Sequence, residues 1–341
     1  MSDKANSTRP CILLTHTPQM RENYYGARAL AGLRELGEVV LHEGLEPLDT
    51  PALIAAAERC HIIVADRATA CEAALFAALP DLVSVSRVAV DIRNIAVASA
   101  SEHGVLVTQA SRSWVAAVSE LAIGLMIDIA RGISRADIAY KAGRAPPVGR
   151  GRQLAGATAG IIGYGPLGRR VCDLALAFGM KVLVNDPYVV VEHGQIEQVE
   201  LDELLQRSDF VLPLAVATEE TENLIGAPQL RLMRPDAFLV NLSRGNLIDE
   251  AALAAALDER RIAGAALDVG RAPDQMPSPH LAARTDVVAT PHMAGLTTEA
   301  IEGQALETVA QVAEILAGRP PAGSVNAEHA SRLGRPRWAA S

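Results

Sequence analysis

Short apolar runs alternate with amphipathic stretches along the first hundred residues. The runs are rich in β-branched residues, which favour strands, and the stretches between them repeat apolar residues every three or four positions, as helices do. The predicted strands read CILLT, EVVLH, HIIVA, LVSVS and HGVLVT, and NYYGARALAGLREL is predicted to be helical. An alternation of strand and helix predicts a parallel sheet with helices on its faces.

The pattern changes near Ser111 and then begins again. SWVAAVSELAIGLMIDIARGI predicts a long connecting helix, and the prolines and glycines of RAPPVGRGRQ interrupt regular structure after it. A second series of nearly continuous apolar strands follows, which implies a sheet covered on both faces. Its strands read ATAGII, KVLVND, DFVLPLAV, AFLVNLS, IAGAALDV and DVVATPH. The helix predicted from Thr297 can return the chain to the first lobe.

These elements predict an α/β protein with two Rossmann-like parallel-sheet domains. We expect one domain to span 109–296 and to be inserted into a discontinuous domain formed by 1–108 and 297–341. A chain of 341 residues is long enough for two such cores.

Composition narrows the classes of partner. A formal net charge of −9 and 3% aromatic residues argue against a nucleic-acid surface, so we expect a small-molecule substrate. The apolar runs extend over only about seven residues, whereas a membrane span needs about 20. The start of the chain does not resemble a secretory signal, the four cysteines have no CxxC spacing, and no paired histidines indicate a metal site. We therefore expect a cytoplasmic protein without a metal.

The segment GIIGYGPLG carries the first chemical signal. Gly163, Gly165 and Gly168 lie between a predicted strand and a predicted helix, where they allow a tight turn, the approach of a pyrophosphate, and close packing of helix and strand. Asp186 follows at the end of the next strand, where it is placed to bind the ribose hydroxyls of a dinucleotide. Between Val182 and Gln206 there is no lysine or arginine to hold a 2′-phosphate, so the predicted cofactor is NAD, not NADP.

Several motifs together resemble one family. GYGPLG, LDELLQRSDFV, LMRPDAFLVNLSRGNLIDEAALAAAL, IAGAALDV and TPHMAGLT occur in the order and spacing of the D-isomer-specific 2-hydroxyacid dehydrogenases. The resemblance implies an NAD-dependent oxidoreductase that interconverts a 2-hydroxy acid and a 2-oxo acid. It also implies that 109–296 is the NAD-binding domain, that the other domain binds substrate, and that the protein is a homodimer.

The resemblance also assigns roles to single residues. Arg244 of NLSRG is expected to bind the substrate carboxylate, His292 of TPH to act as the acid or base, and Asp268 to bind the nicotinamide carboxamide. Without the family, Arg244 could be a surface ion-pair partner and His292 an ordinary core histidine. The remaining residues that the resemblance assigns to the cofactor are Pro166, Leu167, Thr221, Leu242 and Ser243.

The catalytic glutamate of the family is missing. It lies five positions after the aspartate of LDV, which in this chain is Pro273. A shift of one residue in the loop would let Asp274 take its place, and Gln275 could supply only a neutral partner. Formate dehydrogenases of the family have glutamine at the glutamate position and an asparagine that aligns with Trp114, so formate is not expected as the substrate.

A second departure lies in SRVAVDIRNI. Two glycines that help to bind the substrate carboxylate in the family are replaced by Ala89 and Asp91. Asp91 would disfavour a small anionic acid unless its side chain turns away or pairs with Arg87 or Arg93. Alternatively, Asp91 only caps a helix expected to start near Arg93.

A different class of function stays open at this point. The family also includes members known mainly for protein partners, so a non-catalytic NAD-binding sensor or corepressor is the alternative. Turnover of a 2-oxo acid with NADH would separate the two, whereas binding of NADH alone would not.

Overall fold

The computed structural model describes residues 9–146 and 148–334, and the side chain of Asp274 is also outside the described part. The chain forms two compact units. The first unit takes the chain up to Ser113 and again from Thr298, and the second unit is Trp114–Thr297.

The first unit contains a five-stranded parallel sheet with the order β2-β1-β3-β4-β5. Its strands are β1 (Cys11–Leu14), β2 (Glu38–Leu41), β3 (Ile62–Ala65), β4 (Ser84–Arg87) and β5 (Leu106–Gln109). Its helices are α1 (Pro18–Tyr24), α2 (Ala27–Leu36), α3 (Thr50–Ala57), α4 (Ala73–Ala78), α5 (Val97–Glu102) and, from the later part of the chain, α13 (Thr298–Leu316). A short 3₁₀ helix follows at Ala327–His329.

The second unit contains a seven-stranded parallel sheet with the order β12-β11-β10-β9-β6-β7-β8. Its strands are β6 (Thr158–Ile162), β7 (Lys181–Asn185), β8 (Ile196–Gln198), β9 (Phe210–Pro213), β10 (Phe238–Asn241), β11 (Gly264–Leu267) and β12 (Val287–Ala289). Its helices are α6 (Val115–Arg131), α7 (Ile133–Lys141), α8 (Pro166–Ala177), α9 (Leu201–Arg207), α10 (Ala227–Leu232), α11 (Glu250–Asp258) and α12 (Pro279–Ala282). Two 3₁₀ helices cover Gly245–Leu247 and Pro273–Gln275.

Each sheet is covered on both faces, as the apolar strands predict. In β9, Phe210 and Leu212 belong to the core beneath α6 and α8, whereas Val211 belongs to the core on the opposite face. In β1, Ile12 and Leu13 divide in the same way between the two cores of the first unit. The prediction of two parallel-sheet α/β domains is therefore confirmed.

Buried side-chain hydrogen bonds tie the last part of the chain to β5. Thr108 Oγ1 donates to Gln311 Oε1 at 2.9 Å, and Asn326 Oδ1 accepts from the main-chain nitrogen of Val107 at 2.8 Å. One turn earlier in α13, Tyr25 Oη and Thr308 Oγ1 are 3.2 Å apart and hydrogen-bonded. These contacts are the reason that residues after Thr298 belong to the first unit.

Three local predictions differ from the structure. NYYGARALAGLREL forms two helices, because Gly26 has φ of +86° and separates α1 from α2. The expected helix start near Arg93 is wrong, since α5 begins at Val97. Strand β8 was not predicted, because only Ile196 of its three residues is buried and the apolar signal is short. Within 9–146 and 148–334, no helix combines the length and apolar character needed to cross a membrane.

Candidate active site

The glycine loop connects β6 to α8 at the point where the strand order of the second sheet reverses. Gly163 has φ of +101°, and a Cβ added there would lie 2.8 Å from the main chain of Ala215. A Cβ at Gly168 would lie 2.1 Å from the carbonyl oxygen of Gly163. By contrast, a Cβ at Gly165 would meet no atom within 4 Å. The loop therefore packs tightly against protein on two sides and leaves room at Gly165, which suits a pyrophosphate at the start of α8.

The helix after this loop begins with two residues of the motif. Pro166 is at the first helical position, where its missing N–H costs no hydrogen bond, and Leu167 is buried in the core shared with α6. These two residues thus shape the start of α8, and the main-chain amides of its first turn are left for an anion.

Asp186 follows β7 and lies beside the glycine loop. Its Oδ2 accepts from the main-chain nitrogen of Tyr164 at 2.7 Å, and its Oδ1 accepts from those of Tyr188 and Val189 at 2.9 and 3.1 Å. Since each carboxylate oxygen has about two acceptor sites, these bonds fix the carboxylate and leave one site on Oδ2 for a ribose hydroxyl.

A side-chain bridge extends the acidic surface near Asp186. Tyr188 Oη donates to Glu220 Oε2 at 3.0 Å, although the Tyr188 side chain is otherwise 82% exposed. This hydrogen bond to the carboxylate raises the pKa of Tyr188. Tyr188 and Glu220 were not predicted from the sequence, because an aromatic residue in NDPY and an acid after β9 are both common on protein surfaces.

The loops after β9 and β10 meet near Ala215. Thr221 Oγ1 donates to the carbonyl of Val216 at 2.7 Å and accepts from the main-chain nitrogen of Thr218 at 2.8 Å, so it orders its own loop. Ser243 Oγ donates to the carbonyl of Ala215 at 3.2 Å, and Leu242 is buried in the core. These contacts place the three residues in or under loops at the carboxyl edge of the sheet.

Arg244 lies three residues beyond the end of β10. Its carbonyl accepts from Asn241 Nδ2 at 2.9 Å, while Asn241 Oδ1 accepts from the main-chain nitrogen of Ser243 at 3.1 Å. The buried asparagine therefore closes the turn that presents the exposed Arg244 side chain.

Asp268 organises the loop that carries His292. The Asp268 carboxylate is fully buried and accepts from Thr290 Oγ1 at 2.6 Å and from the main-chain nitrogens of Met293 and Ala294 at 2.9 and 3.0 Å. The main-chain nitrogen of His292 donates to the carbonyl of Asp268 at 2.9 Å. His292 itself has φ of +52°, a backbone conformation that residues other than glycine adopt rarely. The hydrogen bonds to Asp268 hold the residue in this conformation.

The register of the sheet brings these loops together. Asn241 pairs with Leu267, and Leu267 pairs with Ala289, on three neighbouring strands. Since the strands are parallel, Arg244, Asp268 and His292 all follow the same edge, which is also the edge of the glycine loop. The structure thus assembles from distant segments the residues that the sequence selected.

The loop between Asp268 and His280 is hydrogen-bonded to the segment that follows Arg244. Arg271 donates to the carbonyls of Asn246 and Ile248 at 3.1 Å each and forms an ion pair of 2.8 Å with Glu222. Pro273, at the position of the family's glutamate, is the first residue of a 3₁₀ turn in this loop. Because that residue is a proline, the position carries no acid. The side chain of Asp274, the predicted substitute, lies outside the described residues.

Asp91 is paired with a neighbouring arginine. Its carboxylate accepts from Arg93 Nε at 2.9 Å and Nη2 at 2.6 Å, and this pairing lowers the pKa of Asp91 to about 2. Arg87, which is buried, donates to the carbonyl of Asp91 at 3.0 Å instead. Of the alternatives for Asp91, the structure selects pairing with Arg93. Ala89 contributes its carbonyl, which accepts from the main-chain nitrogen of Ala110 at 3.1 Å.

The carboxyl edge of the first sheet holds a buried polar cluster that was not predicted from the sequence. Asp66 accepts from Thr15 Oγ1 at 2.5 Å and Thr69 Oγ1 at 2.6 Å; although burial opposes it, these bonds lower the pKa of Asp66. His16 is buried nearby, and burial lowers its pKa to about 4, so it is neutral at pH 7. A signal was present, because Thr15, Asp66 and Arg87 each come at the end of an apolar run.

Comparison with known proteins decides the family. The family model described as "D-isomer specific 2-hydroxyacid dehydrogenase, NAD binding domain" matches residues 123–294. The chain belongs to the D-isomer-specific 2-hydroxyacid dehydrogenase family. Its second unit thus corresponds to the NAD-binding domain of that family, and the predicted membership is confirmed.

Individual relatives agree with this membership. D-3-phosphoglycerate dehydrogenase of Methanocaldococcus jannaschii is 34% identical over 303 residues, which are 87% of this chain and 57% of the relative. Hydroxypyruvate reductase of Thermotoga maritima is 33% identical over 270 residues, 78% of this chain and 88% of the relative. The chain therefore spans little more than half of the first relative's length and most of the second's.

A solved structure of a reductase is similar to this chain over nearly its whole length. Acyclic imino acid reductase (Bsp5), solved in complex with NADPH and D-Arg, has a TM-score of 0.77 and 26% identity, with 92% of this chain and 99% of that chain covered. The NAD-binding family model and the NADPH in this neighbour both support a nicotinamide dinucleotide as the cofactor class.

Proposed function

We propose that this protein is an NAD-dependent oxidoreductase that interconverts a 2-hydroxy acid and a 2-oxo acid. The observation that carries the proposal is the arrangement of Arg244, Asp268 and His292 after three neighbouring strands, on the edge that also holds the glycine loop. A cation for the substrate carboxylate, an acid–base group and a dinucleotide loop are the parts that this reaction needs.

Each residue has a separate task in the proposed mechanism. A nicotinamide dinucleotide held by the glycine loop and Asp186 would supply or accept the hydride. Arg244 binds the carboxylate of the acid and polarises the neighbouring 2-oxo group, because its guanidinium presents parallel donors to a planar anion. The imidazole of His292 gives a proton to the ketone oxygen during reduction and takes one from the alcohol during oxidation.

The environment of Asp268 favours a positioning task. The Asp268 carboxylate accepts three hydrogen bonds from 290–294, so it fixes the direction of the His292 loop. Contact with the nicotinamide carboxamide, which the family resemblance implies, would use the remaining acceptor capacity of the same carboxylate.

We propose NAD as the preferred form of the cofactor. Asp186 is fixed beside the glycine loop, and Glu220 adds a second carboxylate that Tyr188 connects to it. A 2′-phosphate on the adenosine ribose would meet this negative charge, and Val182–Gln206 offers no lysine or arginine to offset it.

The experiment that tests the proposal is a screen of 2-oxo acids for oxidation of NADH by the full chain. Glyoxylate, pyruvate, hydroxypyruvate and a branched 2-oxo acid sample size and polarity, and a parallel series with ammonia tests imino acids. We expect turnover with at least one 2-oxo acid in the absence of ammonia. NADH binding without turnover of any compound would support the non-catalytic sensor, which the relatives named as enzymes do not favour.

The same proposal includes a role for the first unit, a cellular location and an oligomeric state. The unit that ends at Ser113 and resumes at Thr298 is proposed to supply substrate contacts. The protein is proposed to be a cytoplasmic homodimer that pairs through its NAD-binding domain. Light scattering at micromolar concentration tests the dimer, and a monomeric mass would contradict it.

A further inference from the structure

Two cysteines of the first unit lie in contact at the amino edge of its sheet. Cys11 is the first residue of β1, and Cys60 comes two residues before β3. Their Sγ atoms are 2.9 Å apart, and the two side chains are only 4% and 1% exposed. The main chains are also neighbours, because the nitrogen of His61 donates to the carbonyl of Cys11 at 2.9 Å.

We propose that Cys11 and Cys60 form an oxidation site, at which a peroxide converts the two thiols into an intramolecular disulfide bond. A disulfide requires neighbouring backbones whose Cβ atoms approach each other. The hydrogen-bonded neighbours Cys11 and His61 fix the backbones, and the Sγ contact shows that the side chains already converge.

The surroundings favour attack by Cys11. The hydrogen bond with the Cys60 thiol lowers the pKa of Cys11, and the nearby Arg59 guanidinium acts in the same direction against burial. The same hydrogen bond and burial raise the pKa of Cys60. These surroundings favour the thiolate, which is the reactive form, at Cys11 over Cys60.

The chemistry balances with hydrogen peroxide as the oxidant. The Cys11 thiolate attacks one peroxide oxygen, the O–O bond breaks, and the products are a sulfenic acid and hydroxide, which takes a proton to become water. The Cys60 sulfur then attacks the Cys11 sulfur, the S–O bond breaks, and a second water leaves with the Cys60 proton. Both sulfur atoms are oxidised by one electron each, and the two peroxide oxygens are reduced.

The other two cysteines serve as internal controls. Cys71 lies beyond the opposite end of β3, and Cys172 lies in α8 of the second unit. Both are buried, and burial raises the pKa of each to about 12. All four cysteines are buried, so burial does not distinguish the pair from these two controls. Because Cys71 and Cys172 lie apart from each other and from the pair, we expect both to remain thiols.

The test uses the reduced full-length chain and hydrogen peroxide. After treatment, remaining thiols are alkylated under denaturing conditions and tryptic peptides are identified by mass. We expect the peptide Cys60–Arg67 to be joined to the peptide that carries Cys11, and Cys71 and Cys172 to be alkylated. Alkylation of all four cysteines, a link to Cys71, or sulfonic acid on Cys11 without a link would overturn the proposal.

Substitutions sharpen the test. Cys11→Ser and Cys60→Ser should each abolish the linked peptide, whereas Cys172→Ser should leave it unchanged. Far-UV circular dichroism and NADH binding identify any variant that fails to fold, and the peptide map of the parent decides the matter without any variant. A linked peptide that persists in Cys60→Ser would contradict the assignment.

Discussion

The main-chain nitrogen of His292 donates a 2.9 Å hydrogen bond to the main-chain carbonyl of Asp268. The side chain of Asp268 then binds the residues on both sides of His292, at Thr290 and at Met293. One buried aspartate thus holds the proposed acid–base residue from three directions. Because His292 has φ of +52°, loss of these bonds would let its backbone relax toward ordinary conformations and would move the imidazole.

Asp268→Asn tests this positioning. The amide NH₂ group of asparagine would replace one of the two oxygens that accept from the N–H groups of Met293 and Ala294. Because an NH₂ group cannot accept a hydrogen bond, one bond to the loop is lost. We expect kcat to fall by up to about 100-fold, because a displacement near 1 Å has that effect on a reacting group. Steady-state kinetics with a 2-oxo acid provide the measurement. Asp258→Asn, which changes an exposed partner of Arg284, is the matched control and should leave kcat unchanged.

A different outcome would indicate a contact with the cofactor instead. If Asp268→Asn weakened NADH binding in proportion to its loss of kcat, the carboxylate would act mainly on the nicotinamide and the positioning role would be rejected.

Glu220→Gln tests the cofactor preference. Glutamine keeps an oxygen for the Tyr188 hydroxyl but removes the charge, so repulsion of a 2′-phosphate falls. We expect affinity for NADPH to rise by about 2- to 5-fold, since an exposed charge contributes about 1 kcal/mol or less. Affinity for NADH should stay the same, and Asp186→Ala should weaken NADH binding while relaxing the discrimination further.

Fluorescence titrations with both reduced cofactors measure these effects. Glu197→Gln is the control, because Glu197 is paired with Arg207. An unchanged ratio of affinities in both Glu220→Gln and Asp186→Ala would mean that these carboxylates do not sense the ribose.

Asp274→Asn tests the substitute for the missing glutamate. Reduction needs a protonated imidazole, and a neighbouring carboxylate favours that form. If Asp274 is the partner of His292, its substitution should lower the apparent pKa for reduction by roughly one unit. The measurement is the pH dependence of kcat/KM with NADH in excess. Profiles of variant and parent that coincide would exclude Asp274 from this role.

His16→Gln tests how burial couples stability to pH. Burial lowers the pKa of His16 to about 4 in the folded state, against about 6.5 in an unfolded chain. The unfolded state therefore binds more protons between these values, and stability is lost as the pH falls from 6.5 to 4, by about 3 kcal/mol in total. The variant should lose correspondingly less in denaturant unfolding at the two pH values. His280→Gln, which changes an exposed histidine, is the control. If the parent and His16→Gln lost the same free energy of unfolding between the two pH values, His16 would not be responsible.

Local pattern was sufficient to predict most of the fold. Strands β1, β3 and β9 are continuous apolar runs, and the three glycines between β6 and α8 have a recognisable spacing. Recognising these features requires no knowledge of residues that are distant in the sequence. Strand β8 and the break at Gly26 were missed. A three-residue edge strand buries little apolar surface, and a single glycine does not reveal its φ angle from sequence alone.

The candidate site was predicted less completely, for a related reason. Arg244 and His292 stand in recognisable motifs, whereas the bridge between Tyr188 and Glu220 joins loops 32 residues apart. The pairing of Asp91 with Arg93 is local, but the sequence offered Arg87 as an equal partner. Arg87 is instead directed to the carbonyls of Ala65 and Asp91, which only the packing of β3 against β4 determines.

The most direct measurement is single-turnover reduction of an active 2-oxo acid by enzyme-bound NADH in the parent and in His292→Asn. Asparagine tolerates positive φ better than most residues, so the backbone at 292 can be kept while the acid is removed. We expect NADH to bind the variant with unchanged affinity and hydride transfer to slow by about 100- to 10,000-fold. A rate within a few-fold of the parent would contradict the assignment of His292 as the acid–base residue.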